Sequence, residues 1–98
     1  MSWYFIVDTY IDNNKGRLEY DDYISKVMPI VESYGGKYLV RTEQLYNFSK
    51  DRNPQRVIVI RFESKEMLDE CFSSSEYKAI MSKRANSVDS RAIIAEGL

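Results

Sequence analysis

The segment Tyr34-Gly35-Gly36-Lys37-Tyr38-Leu39-Val40-Arg41 constrains the fold more than any other part of the sequence. Paired glycines after a stretch of helical periodicity supply the positive backbone angle that stops a helix. The next residues alternate and are rich in aromatic and β-branched side chains, which predicts an immediate strand. A helix that stops and returns at once as a strand is the second half of a strand–helix–strand unit.

The rest of the chain supplies the other half and a second unit. Ser2 to Ile11 suits a strand, with Trp3, Phe5, Val7, Thr9 and Ile11 on one face and Tyr4, Ile6, Asp8 and Tyr10 on the other. Both faces are largely apolar, so something is expected to cover each of them. Asp12-Asn13-Asn14-Lys15-Gly16 has the composition of a turn. A helix is predicted from about Leu18 to Tyr34, because Tyr20, Ile24, Val27, Val31 and Tyr34 form one apolar stripe. Pro29 lies inside it and should bend the axis.

Lys37 to Tyr46 reads as the second strand, with Tyr38 and Val40 on one face and Leu39 and Arg41 on the opposite one. A polar loop over Asn47 to Gln55 leads to a third strand, Arg56 to Glu63. Ser64 is a helix N-cap before the apolar face Met67, Leu68, Cys71 and Phe72. Ser73 and Glu76 have the spacing of a capping box, which predicts that the helix restarts there and runs to about Arg84. Ser90 to Glu96 reads as the last strand.

The order strand, helix, strand, strand, helix, strand is that of an α+β, ferredoxin-like βαββαβ domain. A four-stranded antiparallel sheet with its helices on one face is expected, in a single domain over residues 1–98. The uncovered face then carries Ile6, Leu39, Val57 and Val59. A patch of that size rarely stays in water, so a homodimer packed sheet to sheet is expected.

Pro29 to Arg41, then Pro54 to Ser64, then Ser74-Ser75-Glu76-Tyr77 with Arg84, together resemble a family of small dimeric α/β-barrel proteins. That family is catalogued as domain of unknown function 1330. The resemblance spans nearly the whole chain and implies a ferredoxin-like protomer whose sheet forms a barrel with a second copy. It lends no biochemical role. The first turn is longer than the family's usual connection, Ser75 stands where proline is frequent, and Arg61 replaces a common acidic residue.

Composition removes several function classes. The 98 residues contain no histidine, which excludes serine–histidine and cysteine–histidine triads and histidine-ligated haem. Fourteen basic and fifteen acidic side chains leave no net field for nucleic acid or an anionic membrane. The third strand also lacks the aromatic motif with which sheets of this topology stack RNA bases. One cysteine, Cys71, fits a reducing compartment and reads as an inert buried thiol. The opening residues Met1 to Asp8 do not read as a signal peptide or membrane span, and a cytoplasmic location is expected. No metal-ligand spacing or glycine-rich phosphate loop occurs, so no metal or nucleotide cofactor is expected.

The residues with a chemical case are charged or phenolic groups on the predicted barrel face. Arg41 offers a fork that could hold a carboxylate or stabilise an enolate, against the plainer alternative of an ion pair with Asp8, Glu43 or Glu63. Arg61 and Asp8 interrupt apolar strands, and mutual neutralisation, or pairing with a dimer mate, is the favoured account. Tyr4 and Tyr10 share that face and could donate hydrogen bonds to a ligand. Arg56 and Arg84 read as a loop anchor and a helix-end cation. Tyr20, Tyr23, Tyr34 and Tyr77 read as core or interface residues. Two functions stay open: a small-molecule site that binds or converts an organic acid without a cofactor, and a non-enzymatic dimeric module with a filled barrel. A cavity of about 300 Å³ or more with converging polar groups favours the first.

Overall fold

The computed structural model describes residues 1–12 and 14–98, so Asn13, within the predicted first turn, lies outside the described residues. The elements are β1 (Trp3–Tyr10), α1 (Arg17–Ser33), β2 (Lys37–Thr42), β3 (Arg56–Phe62), α2 (Lys65–Ser73), α3 (Ser75–Ala85) and β4 (Asp89–Glu96). The strands form one antiparallel sheet in the order β2-β3-β1-β4, the ferredoxin-like arrangement expected from the sequence.

The helices lie on one side and bury Val7, Thr9, Ile58, Ile60 and Phe62 of the two central strands. Their own contributions are Tyr20, Tyr23, Val27 and Val31 from α1, Leu68 and Cys71 from α2, and Tyr77 from α3. Aromatic rings tie the layers together. Phe5 stacks on Phe72 at 4.4 Å, and Phe72 meets Tyr77 edge-on at 5.0 Å.

The glycine pair divides its work. Gly35 takes the left-handed angle, with φ of 83°, that ends α1. Gly36 instead supplies space: a Cβ there would stand 2.5 Å from Val31 and 2.9 Å from Phe62. The helix end can therefore lie flat against the sheet.

Three local features differ from expectation. The second helix restarts at Ser74 rather than Ser73; Ser74 is extended, and its hydroxyl accepts from the Tyr77 amide. Ser73 instead donates back to the Asp69 carbonyl at 2.6 Å. The second strand ends at Thr42, not Tyr46, because the Thr42 hydroxyl accepts from the Gln44 amide and turns the chain away from the sheet.

The third difference affects function. Tyr38 pairs with Ile60 but Val40 pairs with Val59, so Leu39 is an inserted residue, a β-bulge. One extra residue moves every later side chain of the strand to the other face. Val40 therefore joins the uncovered face, and Arg41, opposite Ile58, joins the helix side.

Candidate functional site

The uncovered sheet face holds four of the five residues singled out from sequence, and both charged ones have hydrogen-bond partners within the chain. Tyr4, Asp8 and Tyr10 alternate on β1, and Arg61 pairs in register with Tyr4. Asp8 accepts two hydrogen bonds from Arg52, at 2.7 Å from Nε and 2.9 Å from Nη2. That pairing holds the Asp8 carboxyl below its ordinary value, against a smaller opposing push from burial.

Arg61 does not reach Asp8. Asp8 is opposite Val57, four residues along β3 from Arg61, or roughly 13 Å at strand spacing. Arg61 donates to the Ser2 hydroxyl at 2.8 Å instead. The expected mutual neutralisation does not occur within the chain: Arg52 neutralises Asp8, and Arg61 meets a neutral hydroxyl. Arg91, opposite Asp8 on β4, lies 4.7 Å over the Tyr10 ring and bonds Asp89. Between these pairs the face is apolar, with Ile6, Val57 and Val59 half-buried and Leu39, Val40 and Ile93 exposed.

Arg41 is not among them. The bulge sets it at the β2 edge on the helix side, where Nη1 contacts the Met28 sulfur at 3.2 Å and the guanidinium lies 5.6 Å from the Tyr38 ring centre. It is exposed and remote from Tyr4, Asp8 and Tyr10, so a barrel-face site cannot be built around it.

The concave site lies on the opposite side of the sheet, between the strands and the helix layer. A cavity of about 390 Å³ opens there, walled by α1, α3 and the covered faces of β1, β3 and β4. Large rings hold the layers apart: Tyr20, Tyr23, Tyr77, Tyr38 and Phe72 all line it. β4 is an edge strand that the helices leave partly uncovered, and the exposed residues Met81 and Ala92 flank the cavity on that side. Most of the wall is apolar, from Phe5 and Val7 to Val27, Val31 and Ile60.

The polar groups gather around two strands and two helices. Thr9 and Ser90 face each other across β1 and β4. Tyr23 and Tyr77 share a buried hydrogen bond of 3.0 Å between their hydroxyls. The Arg84 guanidinium stands beside both phenols. Burial works against its charge, but Tyr77 and Tyr23 outweigh that and hold it above its ordinary value. Burial, and then Tyr77, push the Tyr23 hydroxyl far up, so it remains a proton-bearing donor across the physiological range. Burial also raises Tyr20 and Tyr38. Cys71 is buried and pushed up to about 11, as befits an inert thiol.

Among the described residues no carboxylate forms an ion pair with Arg84. The site therefore presents a partly buried cation, two phenols and an alcohol at the edge of an apolar chamber. Such a set can hold an oxyanion and keep protons available next to it. Among the described residues no group of three or more Cys, Asp or Glu side chains is placed to hold a metal ion. No described helix is long and apolar enough to cross a membrane.

Sequence reasoning passed over Arg84, Tyr23, Tyr77 and Ser90 as site residues. A signal for Arg84 does exist: Tyr77, Met81 and Arg84 step by four and three, so the arginine continues an apolar helix stripe. A helix-end cation that only complements the dipole would be as well placed on the wet face.

The comparisons with known proteins agree with the architecture. The family model described as domain of unknown function (DUF1330) matches residues 2–98. This chain belongs to that family. None of the curated proteins matches its sequence. Among solved structures it is similar to RPA0582, a protein of unknown function from Rhodopseudomonas palustris, with TM-score 0.78 and 20% identity, over 99% of this chain and 82% of that one. It is also similar to SnoaB, a cofactor-independent oxygenase from Streptomyces nogalater, with TM-score 0.70 and 9% identity, covering 99% and 93% of the two chains. An uncharacterised NIPSNAP domain protein from Burkholderia xenovorans gives TM-score 0.68 and 9% identity, over 100% and 95%. At these identities the likeness is one of fold.

Proposed function

We propose that this chain binds a small organic acid in the cavity between the helices and the sheet, with Arg84 on the acid group and the aromatic walls around its body. The observation that carries this reading is an Arg84 guanidinium with no carboxylate partner among the described residues, lining an apolar cavity of about 390 Å³. A cation partly withdrawn from water is costly without a counter-charge, and a bound carboxylate supplies one. The volume suits a molecule of one or two rings.

Conversion of the acid, rather than binding alone, draws support from the Tyr23–Tyr77 hydroxyl pair, which would donate to an oxyanion held by Arg84. SnoaB, described as a cofactor-independent oxygenase, is built on the same architecture, so the fold is compatible with chemistry that needs no metal or nucleotide. In the alternative reading, the cavity serves a sensing or interaction module that holds its ligand unchanged.

A second copy of the chain belongs in the same proposal. Leu39, Val40 and Ile93 are exposed by 48%, 38% and 63% beside Ile6, Val57 and Val59. Sheet-to-sheet packing would remove them from water and leave the acid cavity accessible on the far side.

A thermal-shift screen of benzoate, phenylacetate and octanoate tests the site. At a hundred times the dissociation constant, a ligand specific for the folded state adds about 2.7 kcal/mol, a rise of many degrees in a domain of this size. Arg84→Ala should abolish the shift and Arg41→Ala should leave it intact. A shift that survives Arg84→Ala, or no shift with any acid, sinks the reading.

A further inference from the structure

Two buried side-chain atoms have no hydrogen-bond partner among the described residues, Arg56 Nε and Ser90 Oγ. They lie on one rung of the sheet, since Thr9 of β1 pairs with Arg56 on one side and with Ser90 on the other. Their situations differ. Arg56 makes a contact through Nη1 with Glu43 at 3.4 Å, lies 5.9 Å from the centre of the Tyr20 ring, and is not part of the cavity wall. Ser90 lines the cavity.

A buried hydroxyl without a partner is a destabilising feature unless something else satisfies it. Ser90 also shares the cavity wall with the cation. Arg84 ends the wall contributed by α3, and the Ser87 and Val88 amides fold back onto its carbonyl at 3.1 and 3.2 Å. The chain then enters β4 one residue before Ser90. Arg84 and Ser90 thus line one chamber from the two sides of a short turn, while aromatic rings line much of the remainder.

We infer that the ligand is an aromatic acid bearing a second oxygen, a hydroxyl or a ketone, and that Ser90 Oγ, which gives up no bond when its side chain rotates into the cavity, hydrogen-bonds that oxygen while Arg84 holds the carboxylate. Ser90 is then a specificity-determining residue: it separates oxygenated aromatic acids from their bare analogues. The inference rests on the cavity being the acid site, and it adds the substrate class. A site that leaves a buried polar group unpaired discriminates against the analogue lacking the matching oxygen far more strongly than apolar contact does.

Titration calorimetry with benzoate and with 2-, 3- and 4-hydroxybenzoate on the full chain decides it. At least one hydroxybenzoate should bind five-fold or more tighter than benzoate. In Ser90→Ala that preference should collapse to less than two-fold, the hydroxybenzoate affinity falling toward that of benzoate. Equal affinity for benzoate and all three isomers overturns the inference and leaves the acid site standing. So does a preference that survives Ser90→Ala. Failure of all four acids to bind removes the acid site, and the inference with it. The variant also tests the orphan hydroxyl directly. Without ligand, Ser90→Ala should melt at or above the wild-type temperature, because no bond is lost. A clearly lower melting temperature would mean that the protein itself satisfies the hydroxyl, which overturns the assignment.

Discussion

The two faces of the sheet contain similar residue types and treat them in opposite ways. On the uncovered face most polar groups find partners within the chain: Asp8 with Arg52, Arg61 with Ser2, Arg91 with Asp89 and the Tyr10 ring. What is left unpaired there is chiefly apolar surface, with the Arg61 charge meeting only the Ser2 hydroxyl. On the covered face the apolar side chains are buried against the helices, Ser90 Oγ and Arg56 Nε have no partner, and among the described residues Arg84 meets phenols but no carboxylate. An unmatched apolar patch calls for another apolar surface, whereas an unmatched cation and hydroxyl call for a small polar ligand. The chain's two unfinished surfaces therefore ask for different molecules, and the sheet keeps them apart.

The contrast predicts its largest effect from β3, which contributes to both faces. Phe62 is completely buried on the helix side, against Gly36 and Phe72. Phe62→Ala should cost about 3–5 kcal/mol, a large part of the stability of a domain this small. Val59, half-buried on the other face, should lose less than half as much on Val59→Ala. Urea denaturation of the two variants checks the ordering. Equal losses would mean that the two faces are buried to the same depth in solution, which would point to an extensively sealed uncovered face.

Sealing is tested by charge rather than by truncation. Val59→Asp places a carboxylate amid Ile6, Val40 and Ile93 on the apolar patch. If a second copy packs there, light scattering at micromolar concentration should give twice the chain mass for the wild type and the single mass for the variant. The Arg84-dependent acid response should persist in that variant, since the cavity lies behind the sheet. A wild-type mass equal to one chain would leave the uncovered face open and remove the barrel from the proposal.

The fold was largely legible in the sequence because its signals are local. The glycine pair, the serine caps and the alternation along β1 each act within a few residues. The site was less legible because its determinants are not local. Nothing in Tyr38-Leu39-Val40 marks an inserted residue, since all three are apolar and either register buries one of them. The bulge alone relocates Arg41, and a strand reading with strict alternation places that arginine on the wrong face. Tyr23 and Tyr77 look like ordinary core rings until their hydroxyls are seen to meet 3.0 Å apart across 54 residues of sequence. Ser90 has no distinguishing context in the chain at all. Its interest comes only from lacking a partner in three dimensions.

The smallest expected effect concerns pH and the pair that organises the uncovered face. Arg52 holds the Asp8 carboxyl below the ordinary aspartate value of 3.8, so the folded chain takes up that proton less readily than the unfolded one. The pair's contribution to stability is therefore complete above that ordinary value. It drains away as pH falls from about 3.8 through the depressed folded-state value. Other carboxylates titrate nearby, so the useful quantity is the difference in melting temperature between wild type and Asp8→Asn. That difference should be flat from about pH 5 to 8 and should shrink toward zero as acid is added below about pH 4. Because Arg52 is largely exposed, the plateau should be no more than a few degrees for an isolated chain. A second copy laid over this face would exclude water from the pair and enlarge the plateau. A plateau that grows with protein concentration would thus place Asp8 and Arg52 inside a sheet-to-sheet contact. A plateau that stays small at every concentration would leave them as a surface pair on an open face.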